Sequence, residues 1–313
     1  MLLATTLAAG ALLTPCATPQ RSAVQMSASL PPPQLPDNWK APEPKPLSLP
    51  EGQLASALTG TAALALRLGS GVFAVGWKPE ALGVGADEGK YQLYGFRDSS
   101  STTDFARPEV PLKLYEYEAS PYCRKVREAA SMLDLRVTML PCPGARKGFA
   151  AELGEVGGKM TVPYLVDENN GVSMYESDDI IDYMFDTYGP GADAVPWTLR
   201  GGFAFTTSAF AALARGMAGS QLDAKARPDN TKMAPLELWA YEGSPFVKPV
   251  RERLNELALP HTVVACPRGS ANRDKMVEMT GRFQVPYLRD PNTGADLYES
   301  DEIVRYLGEV YTV

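Results

Sequence analysis

The stretch that decides the fold is Ala119-Ser-Pro-Tyr-Cys-Arg-Lys125, which joins a predicted strand to a predicted helix. The strand pattern Leu112-Lys-Leu-Tyr-Glu-Tyr117 precedes it, and a helical pattern follows from Val126 to Leu133. Pro121 suits the first helical position, because its missing N–H would have no intrahelical partner there. A strand that ends in Ser-Pro-x-Cys at a helix start presents a small polar side chain to the positive end of the helix, where a thiolate or alkoxide is stabilised.

The same stretch occurs a second time, as Gly243-Ser-Pro-Phe-Val-Lys-Pro249. Further segments match in register: Pro111–Tyr122 with Pro235–Phe246, Val126–Glu128 with Val250–Glu252, Cys142-Pro143 with Cys266-Pro267, Val162–Leu165 with Val285–Leu288, and Tyr175–Asp178 with Tyr298–Asp301. Self-similarity of this kind predicts two copies of one domain. Thr59–Arg67 also resembles Thr207–Arg215, so we expect an Ala/Leu-rich helix in front of each copy.

Each copy has one order of elements, β-α-β-α-β-β-α. In the first copy the sequence predicts strand Leu112–Tyr117, helix Tyr122–Leu133, strand Val137–Leu140, a connecting helix, strands Tyr164–Val166 and Val172–Tyr175 around the turn Asn169-Asn-Gly171, and helix Asp178–Tyr188 with Ser177 as its N-cap. Strand–helix–strand connections place parallel strands side by side, and the closing hairpin is antiparallel. The fold class is therefore α/β, with a mixed four-stranded sheet and flanking helices in each copy.

Composition excludes several classes of protein. The net charge of −7 argues against a nucleic-acid surface. The four cysteines are too few and too scattered for a disulfide framework. Because His261 is the only histidine, a multi-histidine metal site is excluded, and a Cys–His dyad can form in one place at most. No apolar run reaches the length of a membrane span.

The ends of the chain and the connections differ in composition from the two copies. We expect a targeting peptide at 1–35, a Pro-rich linker at 36–52, a leading helix with a connecting segment at 53–110, domain 1 at 111–189, a linker with a helix at 190–234, and domain 2 at 235–313. An apolar opening followed by an Arg/Ser segment is typical of a bipartite plastid signal, and a disordered tail is the alternative. The localisation predicted in this way is the chloroplast or plastid.

The element order and its motifs resemble the thioredoxin fold, and more narrowly the N-terminal domain of glutathione transferases and glutaredoxins. Ser-Pro-Tyr-Cys-Arg-Lys and Ser-Pro-Phe-Val-Lys-Pro are similar to the active-site segment of the plant serine-type transferases. The tandem arrangement, with Pro-Cys-Pro at 141–143, resembles chloroplast proteins of plants and algae that carry two such domains in a row. The resemblance covers residues 53–313 and implies glutathione as a co-substrate.

The resemblance implies a backbone site for glutathione in each copy. The family's proline before the third strand is cis, which implies cis peptide bonds at Pro163 and Pro286. The backbones of Val162 and Val285 would then pair with the cysteinyl backbone of glutathione. The alternative is a trans proline that only starts a strand.

The Glu-Ser pairs in front of the last helices match the part of the family site that holds the γ-glutamyl end of glutathione. Ser177 and Ser300 and the free N–H groups of a helix start suit its carboxylate, and Glu176 and Glu299 suit its ammonium. Asp178 offsets part of the positive charge of the first of these helices. The alternative is that each serine is a plain N-cap.

The resemblance places Ser120 and Ser244 at the family's catalytic position, where a hydroxyl stabilises the glutathione thiolate. The alternative is again an N-cap. Cys123 matches the second cysteine of a Cys-x-x-Cys motif whose first cysteine is replaced by serine, so it is a candidate for thiol exchange. Val247 replaces it in the second copy, which excludes this chemistry there.

Two more cysteines are candidate redox residues. Cys142 follows the second strand, on the same sheet edge as Cys123, and neighbouring strands lie about 4.8 Å apart, so a disulfide between them is within reach. Cys266 has no such partner, although His261 is near in sequence. The alternative for both is that they pack against the sheet.

Two functions remain open from the sequence. The first is a glutathione-binding protein of transferase or glutaredoxin type that acts on an unknown electrophile or protein thiol. The second is a non-catalytic thioredoxin-fold binding or assembly module, favoured because no all-helical transferase domain is expected after either copy. The leading helices would pack between the copies or touch a membrane surface, and Arg127 and Arg251 would be salt-bridged, solvated or close to a thiolate.

Overall fold

The computed structural model describes residues 30–37, 39–45, 54–82, 90–93 and 95–313, so the predicted targeting peptide lies almost entirely outside the described residues. The helices are α1 Leu54–Leu66, α2 Pro121–Met132, α3 Ala150–Gly157, α4 Ser177–Tyr188, α5 Gly201–Ala214, α6 Val247–Glu256, α7 Asn272–Thr280 and α8 Ser300–Val310. The strands are β1 Lys78–Ala81, β2 Phe96–Ser99, β3 Leu112–Glu116, β4 Arg136–Pro141, β5 Tyr164–Asp167, β6 Val172–Met174, β7 Leu236–Ala240, β8 His261–Ala265, β9 Tyr287–Asp290 and β10 Ala295–Tyr298.

Both copies have the predicted thioredoxin-like topology. In the first, β3 is parallel to β4 and antiparallel to β5, which pairs with β6, and the second copy repeats this with β7 to β10. On one face Val126 and Ile181 bring α2 and α4 onto the sheet, and on the other face Leu153 of α3 packs near Tyr115. The alternation of side chains along β3 serves both faces.

The start of the last helix differs from the prediction. Ser177 is the first residue of α4 rather than its N-cap, and Glu176 occupies the N-cap position with φ 66°. The second copy has the same arrangement, with Ser300 as the first residue of α8 and Glu299 at φ 67°. The chain therefore turns through the left-handed region at both glutamates before each helix begins.

The two four-stranded sheets join into one sheet of eight strands, in the order β10-β9-β7-β8-β4-β3-β5-β6. The second strands of the two copies, β4 and β8, pair antiparallel at the centre, with Thr138 opposite Thr262. Their hydroxyl oxygens lie 2.8 Å apart and are buried. Because these residues are equivalent in the two copies, they mark a pseudo-twofold axis through the sheet.

The two leading helices are present, and they pack on each other and on the copies. Arg67, which follows α1, pairs with Glu128 at 2.6 Å and donates to Thr207 of α5 at 2.5 Å. Arg215, which follows α5, pairs with Glu252 at 2.5 Å and donates to α1. The two helices thus exchange equivalent contacts about the pseudo-twofold axis. Among the residues that the structure describes, no helix is both long and apolar enough to cross a membrane.

A buried charge network joins the copies beneath these helices. Arg251 donates to Glu118 of the first copy, and Arg127 of the first copy donates to Glu242 of the second at 3.4 Å. Lys248 donates to Glu242 at 2.5 Å. All five side chains are at most 4% exposed. The arginines are therefore salt-bridged across the interface rather than solvated, and Arg127 also lies close enough to Cys123 to act against the rise in the pKa of its thiol.

Candidate functional site

Ser120 lies at the start of α2, as predicted. Pro121 is the first helical residue, and the Ser120 hydroxyl accepts a hydrogen bond from the Cys123 backbone N–H at 3.3 Å. Burial raises the pKa of the nearby Tyr117 phenol. The serine is only 2% exposed, and Phe205 of α5 packs 5.2 Å from the Tyr122 ring next to it. Ser120 is therefore a buried N-cap whose hydroxyl already accepts a hydrogen bond from the helix.

The second copy places Ser244 differently. Its helix α6 starts at Val247, so Ser244 does not cap it. Helix α1 crosses this point closely: a Cβ added to Gly60 would lie 2.9 Å from Pro245. Ser244 is 1% exposed. The equivalence of the two serines predicted from the sequence therefore holds for position but not for helix capping.

Cys123 and Cys142 are buried free thiols in this structure. Burial, and next the nearby carboxylate of Glu116, raise the pKa of Cys123 to about 12. Burial and the neighbouring Cys123 also raise the pKa of Cys142. Since the thiolate is the reactive form, both groups are unreactive at neutral pH in this conformation. The geometry gives no support to thiol exchange at Cys123.

Cys266 and His261 do not form a dyad. They lie at opposite ends of β8, and a strand rises about 3.3 Å per residue, so five residues separate them by roughly 16 Å. Cys266 is fully buried, and burial raises its pKa. Burial also lowers the pKa of His261 to about 4, and its Nδ1 lies 3.0 Å from the Leu259 carbonyl oxygen. The sequence proximity of the two residues was therefore misleading.

The peptide bonds Val162-Pro163 and Val285-Pro286 are both cis, as the resemblance implied. Strand register then brings each proline next to a Glu-Ser pair. Leu165 pairs with Met174, so the chain before Tyr164 runs beside the chain after Tyr175, and the two tyrosine rings lie 4.3 Å apart. The cis bond and the start of the last helix therefore share one sheet edge in each copy.

In the first copy Glu176 is accessible, whereas Ser177 is buried at 6% exposure. Glu176 is exposed, and among the described residues its carboxylate makes no hydrogen bond or ion pair. The Lys125 ammonium lies 2.7 Å from Asp178 and offsets one of the two acidic charges, Asp178 and Asp179, in the first turn of α4. Sequence analysis missed Lys125, although its replacement by Pro249 in the second copy was a visible difference.

In the second copy the equivalent edge is covered. Glu299 is 9% exposed, and its Oε1 accepts from the Lys45 backbone N–H at 2.5 Å and from Gln284 Nε2 at 2.7 Å. Lys45 belongs to the predicted Pro-rich linker, which therefore contacts the second copy. The two Glu-Ser edges have the same backbone but different surroundings.

This architecture defines a protein with two thioredoxin-like domains in tandem. Residues 114–192 and 238–312 each match the family described as Glutathione S-transferase, N-terminal domain. Both copies are thus thioredoxin-like domains, and each contains a segment similar to the N-terminal domain of glutathione S-transferases. No solved structure gives a significant match.

Similar curated proteins are fungal. They include the glutathione S-transferase-like protein gedE of Aspergillus terreus, 31% identical over 81 residues that make up 26% of this chain and 35% of the relative. Another is the glutathione S-transferase-like protein tpcF of Aspergillus fumigatus, 36% identical over 70 residues, 22% of this chain and 31% of the relative. The chain spans about a third of the length of these curated relatives.

Proposed function

We propose that this protein binds glutathione at the Glu-Ser edge of its first copy. The observation that carries the proposal is the arrangement around Glu176, where an exposed carboxylate without a partner among the described residues precedes a helix start. A carboxylate recognises an ammonium, and free N–H groups at a helix start recognise a carboxylate. Together they fit the α-amino-acid end of the γ-glutamyl group.

Backbone geometry supports the same proposal. Glu176 has φ 66° although it is not glycine, and such a conformation costs on the order of 1–3 kcal/mol and persists only where the surroundings impose it. The second copy has the same feature at Glu299. Backbone strain of this kind clusters at ligand sites. Half-buried Val162 lies on the same sheet edge, where its backbone suits pairing with an extended tripeptide.

The second candidate function is that of a non-catalytic binding or assembly module. It is favoured by the burial of Ser120, Ser244 and Cys123, because a catalytic hydroxyl or thiol must reach its substrate. The helices α1 and α5 lie where access would be needed. Binding of glutathione without chemistry is compatible with this second candidate.

Calorimetric titration of glutathione into the full chain tests the proposal. We expect Glu176→Ala to weaken binding at least tenfold, because a charged hydrogen bond contributes about 1.5–3 kcal/mol. Glu299→Ala is the matched control, and unfolding curves check that both variants fold. A wild-type chain that shows no binding at millimolar glutathione would contradict the proposal.

Two further variants separate the chemical alternatives. A serine-type transferase loses conjugation of glutathione to an aryl halide with Ser120→Ala and keeps it with Cys123→Ala. A thiol oxidoreductase that reduces a glutathione mixed disulfide shows the reverse. The module shows neither activity. Because Ser120→Ala also removes a helix cap worth about 1 kcal/mol, activities are compared at a temperature where both variants are folded.

A further inference from the structure

Residues 32–37 and 39–45, near the beginning of the described part of the chain, form a strap on the second copy. Leu35 and Trp39 pack against the hydrophobic core of that copy. The Trp39 ring lies 5.8 Å from Tyr306 of α8, and the Trp39 N–H donates to the Pro36 carbonyl at 3.0 Å. Lys45 then reaches Glu299 through its backbone N–H. The strap thus runs over the last helix and ends on the Glu-Ser edge.

The strap donates a hydrogen bond to the carboxylate oxygen that a ligand would need as its acceptor. In the proposed mode for the first copy, the glutamate before the last helix accepts from the ligand's ammonium. In the second copy that acceptor, Glu299 Oε1, already receives two N–H donors, one of them from Lys45. Glu176 has neither donor: Thr161 takes the place of Gln284, and no described residue lies at the position of the strap.

The opposite end of the second copy's edge is covered as well. The β1–β2 hairpin lies against the loop that follows β8, where Arg268 pairs with Asp98 at 2.7 Å. Close by, the Tyr91 N–H donates to Asp274 at 2.9 Å, and the Arg273 guanidinium lies 4.8 Å from the Tyr91 ring. The segment between α5 and β7 contains no equivalent hairpin. The second copy is therefore enclosed at both ends by chain that precedes the first copy.

We propose that, in the second copy, a segment of the chain itself lies where a small ligand binds in the first copy. Its Glu299 edge is a docking surface for the strap, and ligand binding belongs to the first copy alone. The division of roles rests on the function proposed above for the first copy, whereas the docking of the strap does not. A peptide N–H of the extended, proline-rich backbone donates a hydrogen bond to the carboxylate in place of a ligand's ammonium. Because the donor belongs to the same chain, this contact is intramolecular.

Amide hydrogen exchange of Lys45 in the full chain, labelled with ¹⁵N-lysine, tests the proposal. We expect the Lys45 amide to exchange at least tenfold more slowly than in a free peptide of the same sequence. Glu299→Ala should remove this protection, and the matched substitution Glu176→Ala should leave it unchanged. Glutathione at 10 mM, on the order of cellular thiol levels, should also leave it unchanged.

Two results overturn the proposal. One is a wild-type Lys45 amide that exchanges at the free-peptide rate. The other is a wild-type amide that loses protection when glutathione is added, because the second copy would then take the ligand. If calorimetry shows no glutathione binding at all, the function proposed for the first copy fails, and protection of Lys45 still decides whether the strap docks.

A second pair of variants covers the case in which Glu299→Ala does not fold. Lys45→Pro removes the N–H donor and suits the extended backbone that precedes Pro46, while Lys45→Ala keeps the N–H. We expect trypsin to cut after Lys40 several-fold faster in Lys45→Pro than in Lys45→Ala. Equal cleavage rates would contradict the role given to this hydrogen bond.

Discussion

Replacement of Arg251 by methionine tests whether the buried charge network holds the two copies together. Arg251 donates to Glu118 of the first copy and to Glu242 of the second, and its side chain is 4% exposed. Methionine keeps much of the side-chain volume but leaves two buried carboxylates with one cation fewer. The expected loss of stability therefore comes from uncompensated buried charge rather than from a cavity.

The expected loss is about 3–5 kcal/mol, because removal of one partner of a buried ion pair leaves the other partner desolvated. That is a large part of the roughly 5–15 kcal/mol by which folded proteins are stable. The double variant Glu118→Gln/Arg251→Met should recover part of the loss. As a control, Arg305→Met removes a pair whose arginine is 59% exposed, and it should cost no more than about 1 kcal/mol.

Urea unfolding followed by far-UV circular dichroism measures these differences. The dependence on pH adds a second readout. Burial would raise the pKa of Glu118, but Arg127 and Arg251 together hold it below its ordinary value of 4.5. This carboxylate therefore stabilises the fold above pH 4.5 and loses its contribution as the pH falls further. Arg251→Met should shrink that acid-dependent loss. A change in stability below about 1 kcal/mol for Arg251→Met would refute the reasoning.

Three further predictions concern other parts of the chain. Burial lowers the pKa of His261 from 6.5 to about 4, so protonation of this imidazole favours the unfolded state. The free energy of unfolding should therefore fall by about 3 kcal/mol between pH 6.5 and 4. Urea unfolding of His261→Phe should lack this dependence on pH. Gly60→Ala should destabilise by about 1–3 kcal/mol in thermal unfolding, because the new Cβ would lie 2.9 Å from Pro245, whereas Gly202→Ala, with nothing within 4 Å, should stabilise slightly or leave stability unchanged. We propose that residues 1–35 direct import into plastids, and a fluorescent protein carrying them should enter the plastids of an algal host; a cytosolic signal would contradict this.

Much of the fold could be predicted because its signals are local and occur twice. The run Leu112–Tyr117, the proline after Ser120 and the Asn-Asn-Gly turn each specify one element, and the second copy has a matching strand, a Ser-Pro pair and an Asn-Thr-Gly turn. Element boundaries in the first copy consequently lie within one or two residues of those in the structure. The cis peptide bonds were implied by the resemblance to the transferase family, through the Val-Pro-Tyr motif that occurs in both copies.

The contacts between the copies could not be predicted, because they depend on positions far apart in the chain. Glu118 and Arg251 are 133 residues apart, and each alone is compatible with a solvated face. The docking of the strap could not be predicted for a related reason. Proline content predicts an extended backbone, but it does not indicate the surface on which that backbone lies. At the candidate site, motif matching placed Ser120 correctly but could not show that α5 packs beside it.

The central pairing of β4 with β8 has a consequence for aggregation. In a separate copy the second strand is an edge strand, and such a strand offers its free N–H and C=O groups to any other chain. Here the two second strands pair with each other. The outer edges of the described sheet are the short strands β6 and β10, of three and four residues. Covalent linkage also supplies each edge with its partner at an effective concentration on the order of millimolar. One copy produced alone should therefore self-associate through β4 or β8. The duplication thus also protects the chain from aggregation, because it pairs these two edges within one molecule.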